Sequence, residues 1–303
     1  MNEQNHNSKK QTIPIPSDEI REKLDQMCQA HGPSRDFLSI HDYELDHASL
    51  VLKEYGRFVS QFELFFDTLN DLIVGINYIP KASWPPQRSI QFLLAANNVR
   101  FFYSSFDRLI KGFWVESMVL SRPVFEAFIK IVFASCHPSI FDAVLVQKRS
   151  DGKRFNLTGF IRDDLRLNWI TYRLWSAIAH SNSYEIFKDL SSIRDKKTPL
   201  ISMKLAFDKK EFEAALNLLL FVAIAYLHTI LKLFITSYDK EINQDEVQKA
   251  QLLTELWKAS LRNNPKDHWR KVMDDLDYVF EIVMAAEAGQ DWKTIVSKNR
   301  PTR

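Results

Sequence analysis

Six side chains along one segment of this 303-residue chain could bind phosphate and stack on a nucleic-acid base. Arginine donates paired hydrogen bonds to phosphate oxygens, tryptophan can stack on a base, and histidine exchanges protons near neutral pH. On a helix, residues that step by four and three share one face. A plain solvated face is the alternative, although such faces usually include Glu and Lys for pairing. The six side chains, called here the basic stripe, are Arg162, Arg166, Trp169, Arg173, Ser176 and His180.

The basic stripe ends in a pattern of the form R-x6-H, made by Arg173 and His180. The pattern resembles the R-x4–6-H motif of HEPN domains, helical bundles of which many are metal-independent ribonucleases in prokaryotic toxin–antitoxin and antiviral defence systems. The resemblance implies two catalytic residues: His180 assists proton transfers at the RNA 2′-hydroxyl, and Arg173 binds the scissile phosphate. The other four residues of the stripe would bind substrate. It also implies a homodimer, because the family's site usually combines one motif from each subunit; Leu174 stands where the family often has Asn, Asp or His.

A second set of charged residues, Arg122, Glu126 and Lys130, is spaced by four within an otherwise apolar segment. This spacing predicts either a ladder of ion pairs along one helix or an inward polar site. At an inward site, Arg122 and Glu126 would be supporting residues. Glu126 could orient Arg173 or His180, because a carboxylate fixes the tautomer of a histidine and raises its pKa.

The sequence predicts neither a metal ion nor a cofactor. His41 and His47 flank three carboxylates, but histidines six apart do not share a helix face, so an acidic helix start is favoured. The seven glycines lack dinucleotide-binding and P-loop spacing, which argues against Rossmann enzymes and P-loop NTPases. Cys28 and Cys136 fit no disulfide or zinc pattern and predict two reduced core cysteines in a cytoplasmic protein.

Few glycines and 22 phenylalanines predict an all-α, multi-helix bundle with at most one short strand or hairpin near 200–207. A change of composition near 240–243 predicts a boundary between a helical bundle domain (17–240) and a C-terminal helical module (241–297). The HEPN-like core would cover about 85–240, and polar tails are expected at 1–16 and 298–303. Apolar spacing predicts helices at 17–30, 45–77, 89–111, 114–135, 158–180, 211–238, 245–261, 266–287 and 291–297.

Residues 216–235 are as long and apolar as a membrane-spanning helix. Asn217, His228 and Lys232 interrupt the segment, so a buried core helix is favoured over a membrane span, with His228 a hydrogen-bonded core histidine. A formal charge of +2 argues against a general polyanion binder but allows a local basic face. The resemblance implies an RNA-binding or RNA-cleaving effector; the alternative is a non-catalytic interaction or regulatory subunit whose aromatic surface holds a protein partner.

Overall fold

The computed structural model describes residues 35–142, 156–167, 209–235, 242–264 and 267–298. These ranges form eight helices and contain no strand, which confirms the predicted all-α bundle. The chain divides into two compact units between Leu45 and Asp46, and residues 35–45 of the first unit are helical. The helices are α1 (Arg35–Tyr78), α2 (Pro86–Ile110), α3 (Trp114–Cys136), α4 (Leu157–Gly159, continued by a π turn at Phe160–Asp164), α5 (Lys209–Thr229, continued by a π turn at Ile230–Ile235), α6 (Gln244–Arg262), α7 (Asp267–Glu287) and α8 (Trp292–Lys298).

The first three helices occupy the segments that the sequence predicts. Helix α1 begins before the predicted start at 45 and is kinked at Tyr55, whose φ of −125° and ψ of 17° are not helical. Pro86 opens α2, where the missing proline N–H is no loss, and Gly112 follows its end with a φ of 91°. Helix α3 continues through Pro123.

Aromatic rings from several helices meet in the core. Phe62 of α1 stacks on Phe106 of α2 with ring centroids 4.5 Å apart, and it lies 5.0 Å from Trp257 of α6. Phe65 of α1 contacts Phe102 of α2 edge to face at 5.1 Å. Burying one such ring contributes about 1.5–3 kcal/mol, so these contacts hold the first two helices and α6 together.

Helix α5 packs against α2, α3 and α6. The most apolar 18-residue window of its segment Phe212–Ile235 has a mean hydropathy of 2.3, so the segment could cross a membrane by length and composition. However, 94% of its most apolar 18-residue window is buried inside the protein. This burial agrees with the interpretation as a core helix.

The C-terminal helices share the core of the helices before them. Helix α6 packs against α5, α7 packs against α3 and α6, and α8 packs against α7. Phe280 of α7 lies 5.8 Å from Phe128 of α3, and the Trp292 indole N–H donates to the Cys136 carbonyl oxygen at 3.0 Å. Residues from Asp46 onward form one compact unit, and the composition change near 240–243 lies within it. The polar composition after it reflects the exposed faces of α6 and α7.

Several predicted features lie outside the described residues. They are the helix at 17–30, the strand or hairpin near 200–207, the polar tails and Cys28. Cys136 is buried and free, and burial raises the pKa of its thiol.

Candidate functional site

A capped turn begins the segment that carries the basic stripe. The Asn156 side chain accepts a hydrogen bond from the Gly159 N–H at 3.0 Å and so caps α4. A Cβ at Gly159 would lie 2.8 Å from Asn156 Nδ2, so the cap depends on glycine at this position. After the cap the helix widens, and the Leu165 N–H donates to the Phe160 carbonyl oxygen at 2.9 Å.

The helical segment ends at Asp164, well inside the helix predicted for 158–180. Arg166 has a φ of 56°, a left-handed conformation typical of helix ends, and the Leu167 N–H donates to the Ile161 carbonyl oxygen at 2.9 Å. Leu165 and Leu167 are both buried. On a continuous helix, residues two apart point about 200° apart, so both could not enter the same side of the core. The prediction of one unbroken helix is therefore wrong.

Arg162 and Arg166 are the two stripe residues that the structure describes, and both are exposed. Arg162 donates two hydrogen bonds to Asp163, from Nε to Oδ1 at 2.7 Å and from Nη2 to Oδ2 at 2.8 Å. This contact lowers the pKa of Asp163 and raises the pKa of Arg162. The neighbouring carboxylate thus compensates the charge of Arg162. Arg166 forms no ion pair with any described residue.

Arg166 interacts electrostatically with Tyr278 of α7. Burial raises the pKa of Tyr278, and the positive charge of Arg166 opposes that rise. One turn earlier, burial raises the pKa of the Asp275 carboxyl to about 6. A guanidinium and a half-buried phenol therefore interact at the beginning of the basic stripe.

Arg122 and Glu126 form an ion pair along α3. Arg122 Nε lies 2.7 Å from Glu126 Oε1, and the two side chains are 19% and 27% exposed. This is the intrahelical pairing that the spacing of four predicts. The pair lies at the margin of the core, because Phe125 and Ala127 beside it are buried.

The remaining stripe residues lie outside the described part of the chain, so the structure does not test their positions. The support that Glu126 would give to the motif therefore stays a prediction. The residues concerned are Trp169, Arg173, Ser176 and His180.

His47 is buried in the core, whereas His228 is half-buried. His47 Nδ1 lies 2.7 Å from the Ile110 carbonyl oxygen at the end of α2, and burial lowers its pKa. The His228 ring packs 4.6 Å from Phe280, but its buried Nδ1 has no hydrogen-bond partner. His228 is half-buried against Phe280, and its Nδ1 lacks the partner that the prediction of a hydrogen-bonded core histidine requires. The described residues contain no group of three His, Cys, Asp or Glu that could hold a metal ion.

A buried polar cluster joins α2, α3 and α7 and was not predicted. Arg88 is 5% exposed, and its Nη2 lies 2.7 Å from Glu287 Oε2. Buried Gln91 donates from Nε2 to Ser135 Oγ at 2.8 Å. Nε and Nη1 of Arg88 and Oε1 of Gln91 are buried without a hydrogen-bond partner. One sequence signal could have indicated it: Arg88 and Gln91 stand at positions on the apolar face of α2, which continues at Phe92.

An open groove runs between α1 and α2. Two adjoining cavities of about 570 and 420 Å³ form it and share Phe66 and Tyr103. The sequence does not predict this surface, because periodicity does not show which part of a helix face the neighbouring helices leave open. We call it the α1–α2 groove; its lining includes Glu63, Phe66, Asp67, Arg100, Tyr103 and Asp107.

The HEPN resemblance rests on the motif of Arg173 and His180 in an all-α chain, and it stays a prediction. The chain matches no protein-family model, no curated protein sequence and no solved structure.

Proposed function

We propose that this protein binds RNA and cleaves it without a metal ion, as a homodimeric effector of a prokaryotic toxin or antiviral defence system. The motif of Arg173 and His180 suggests the chemistry, and the surroundings of Arg166 support it. This side chain is exposed, forms no ion pair with a described residue and lies near Tyr278. A guanidinium beside an aromatic ring suits a phosphate and a neighbouring base.

The proposed reaction uses the RNA's own 2′-hydroxyl as the nucleophile. The 2′-oxygen attacks the adjacent phosphorus as its proton leaves, and the bond from phosphorus to the 5′-oxygen breaks. The products are a 2′,3′-cyclic phosphate and a 5′-hydroxyl, so no metal-bound water is needed. His180 assists the proton transfers, while Arg173 stabilises the charge that develops on the phosphate oxygens.

The test is cleavage of single-stranded RNA by the purified full chain in the presence of EDTA. We expect His180→Ala and Arg173→Ala to lower the cleavage rate by about 10²-fold or more, the usual contribution of an acid–base group or charge-stabilising donor. His268→Ala is the matched control, since this exposed histidine of α7 belongs to no proposed site, and it should leave the rate unchanged.

Circular dichroism must show the same helix content for all variants, so that lost cleavage reports lost chemistry. Cleavage by His180→Ala at the rate of the unaltered chain would refute the assignment. A strict requirement for Mg²⁺ would contradict the metal-independent reaction.

A second candidate is a non-catalytic interaction protein, and the α1–α2 groove is the observation that favours it. Tyr103 in this groove is 59% exposed, and exposed aromatic rings in grooves are typical of protein-binding surfaces. This candidate predicts no RNA cleavage by the unaltered chain. It also predicts that Tyr103→Ala removes binding of the protein partner, whereas His180→Ala does not.

A further inference from the structure

The two ends of the α1–α2 groove carry opposite charges. Exposed Glu63 and Asp67 lie at one end, where Asp107 is already paired with Lys111 at 3.0 Å. Arg100 lies towards the other end and is exposed. The three unpaired groups, Glu63, Asp67 and Arg100, form no ion pair with any described residue, so their charges are available to a partner.

The middle of the groove is apolar and partly exposed. Phe66 is half-buried and Tyr103 is exposed, and both line the two adjoining cavities. Beyond Arg100 the apolar surface continues with exposed Val74 on α1 and exposed Leu93 on α2. These residues lie at spacings of three and four from groove residues of their own helices, so they extend the same surface. Apolar residues that follow one another along a groove indicate a binding surface, whereas single exposed ones do not.

This charge pattern is self-complementary. A two-fold axis that lies in the interface and crosses the groove exchanges its two ends. The axis places Arg100 of one copy at the acidic end of the other, and symmetry repeats the contact. Phe66 and Tyr103 lie between the charged ends, so the same operation brings the apolar centres of the two grooves together. An uncharged partner helix would contact only the apolar centre of the groove. A strongly basic partner helix would be repelled by Arg100.

We infer that two copies of this chain associate through the α1–α2 groove, with Arg100 of each copy placed against Glu63 and Asp67 of the other. The inference rests on the dimer included in the proposed function, but it adds the surface and can be tested without RNA. The apolar centre supplies the contact area, and the charged ends select the antiparallel arrangement over the parallel one.

The experiment is a mass measurement of the full chain by light scattering coupled to size exclusion, supported by sedimentation equilibrium. The unaltered chain should have a mass of about 71 kDa, twice its 35.5 kDa. Arg100→Glu and the double variant E63R/D67R each place like charges together in both symmetric contacts. Each should weaken dimerisation about tenfold or more and shift the mass towards the monomer.

Mixing the two variants gives the decisive result. In a heterodimer, Glu at 100 of one copy faces Arg at 63 and 67 of the other, while the native Arg100 faces the native acidic pair. Both contacts are then attractive, so an equimolar mixture should recover the 71 kDa species with one copy of each. Arg270→Glu on α7 and Glu255→Arg on α6 are matched charge reversals of exposed residues outside the groove lining, and both should remain dimers.

Three results would overturn the inference. One is an unaltered chain that stays at 35.5 kDa at concentrations of tens of micromolar. Another is that Arg100→Glu and E63R/D67R each remain fully dimeric, which would place the interface elsewhere. The third is that Arg100→Glu and E63R/D67R are both folded but their equimolar mixture stays monomeric. A dimer that follows these charge rules but does not cleave RNA would leave the inference standing and refute only the proposed reaction.

Discussion

At the scale of single residues, His228 and Asp275 are both held away from their ordinary titration range. Burial, followed by the nearby Lys258, lowers the pKa of His228 from 6.5 to about 4. Burial raises the pKa of Asp275 from 3.8 to about 6. Both shifts favour the neutral form, because a charged group loses its hydration when it is buried. Their effects on stability therefore have opposite dependence on pH.

The signs follow from proton binding. Folded His228 binds a proton less readily than the unfolded chain does, so its stability contribution is complete above about pH 6.5 and is lost as the pH falls towards 4. Folded Asp275 binds a proton more readily, so its contribution is complete below about pH 3.8 and is lost as the pH rises through 6. Between pH 6 and 4 the two groups act against each other.

We predict that His228→Leu changes the pH dependence of the free energy of unfolding. Between pH 6.5 and pH 5, the free energy of unfolding of the variant should fall by about 1–2 kcal/mol less than that of the unaltered chain. Asp275→Asn is the complementary variant, and its stability should fall more steeply over the same range. Urea unfolding at several pH values measures both. Parallel curves for the three proteins would show that neither group is linked to folding.

At the scale of elements, the start of α4 depends on the fit between one side chain and one glycine. Asn156 caps the helix only because Gly159 leaves room for its side chain. We predict that Asn156→Ala and Gly159→Ala each lower the free energy of unfolding by about 1 kcal/mol, the usual contribution of an N-cap. The double variant should cost about as much as either single one, because both substitutions remove the same cap.

A second glycine provides the control for this cycle. Gly56 lies inside α1 with no atom within 4 Å of where a Cβ would be. Gly56→Ala should therefore raise the free energy of unfolding by about 0.5–1 kcal/mol, because alanine favours a helix more than glycine does. If the two α4 substitutions were additive, the proposed dependence of the cap on Gly159 would be wrong.

The helices and the site differ in how far the sequence predicts them. Regular apolar spacing, with Phe62, Phe65 and Leu69 on one face, was enough to locate α1 and the other described helices except α4. The break at Arg166 was missed because Ile161 and Leu165 fit a continuous helix, whereas Leu167 does not. Apolar spacing describes one face of one helix. Leu167 is buried two residues after Leu165, and this burial depends on tertiary packing, which the spacing does not predict.

The groove and the buried polar cluster could not be predicted for a related reason. Arg88 and Gln91 interrupt an apolar face, and a sequence does not show whether such residues end in solvent or meet a partner from a distant helix. Glu287 is that partner, 199 positions further along the chain. Likewise, Tyr103 is exposed and its neighbour Phe102 is buried, because Phe102 packs against Phe65 of α1 and Tyr226 of α5.

At the scale of the whole molecule, the contact of Arg88 with Glu287 joins the first turn of α2 to the last residue of α7. The side chains are 6% and 14% exposed, so the ion pair is largely removed from solvent. Gln91 adds a longer contact from Nε2 to Glu287 Oε1 at 3.4 Å. Two nitrogens of Arg88 lack hydrogen-bond partners, so this carboxylate is the main compensation for a buried charge.

We predict that Glu287→Ala lowers the free energy of unfolding by about 3 kcal/mol, because it leaves the buried guanidinium without its counter-charge. The double variant R88M/E287L should recover much of that loss, since apolar side chains of similar volume often replace a buried ion pair at little cost. Asp163→Ala breaks the exposed ion pair with Arg162 and should leave stability unchanged. Urea unfolding of the four proteins at neutral pH measures these differences. If R88M/E287L were less stable than Glu287→Ala, the uncompensated charge on Arg88 would not be the cause of the lost stability. Another group would then have to compensate the Arg88 guanidinium in Glu287→Ala.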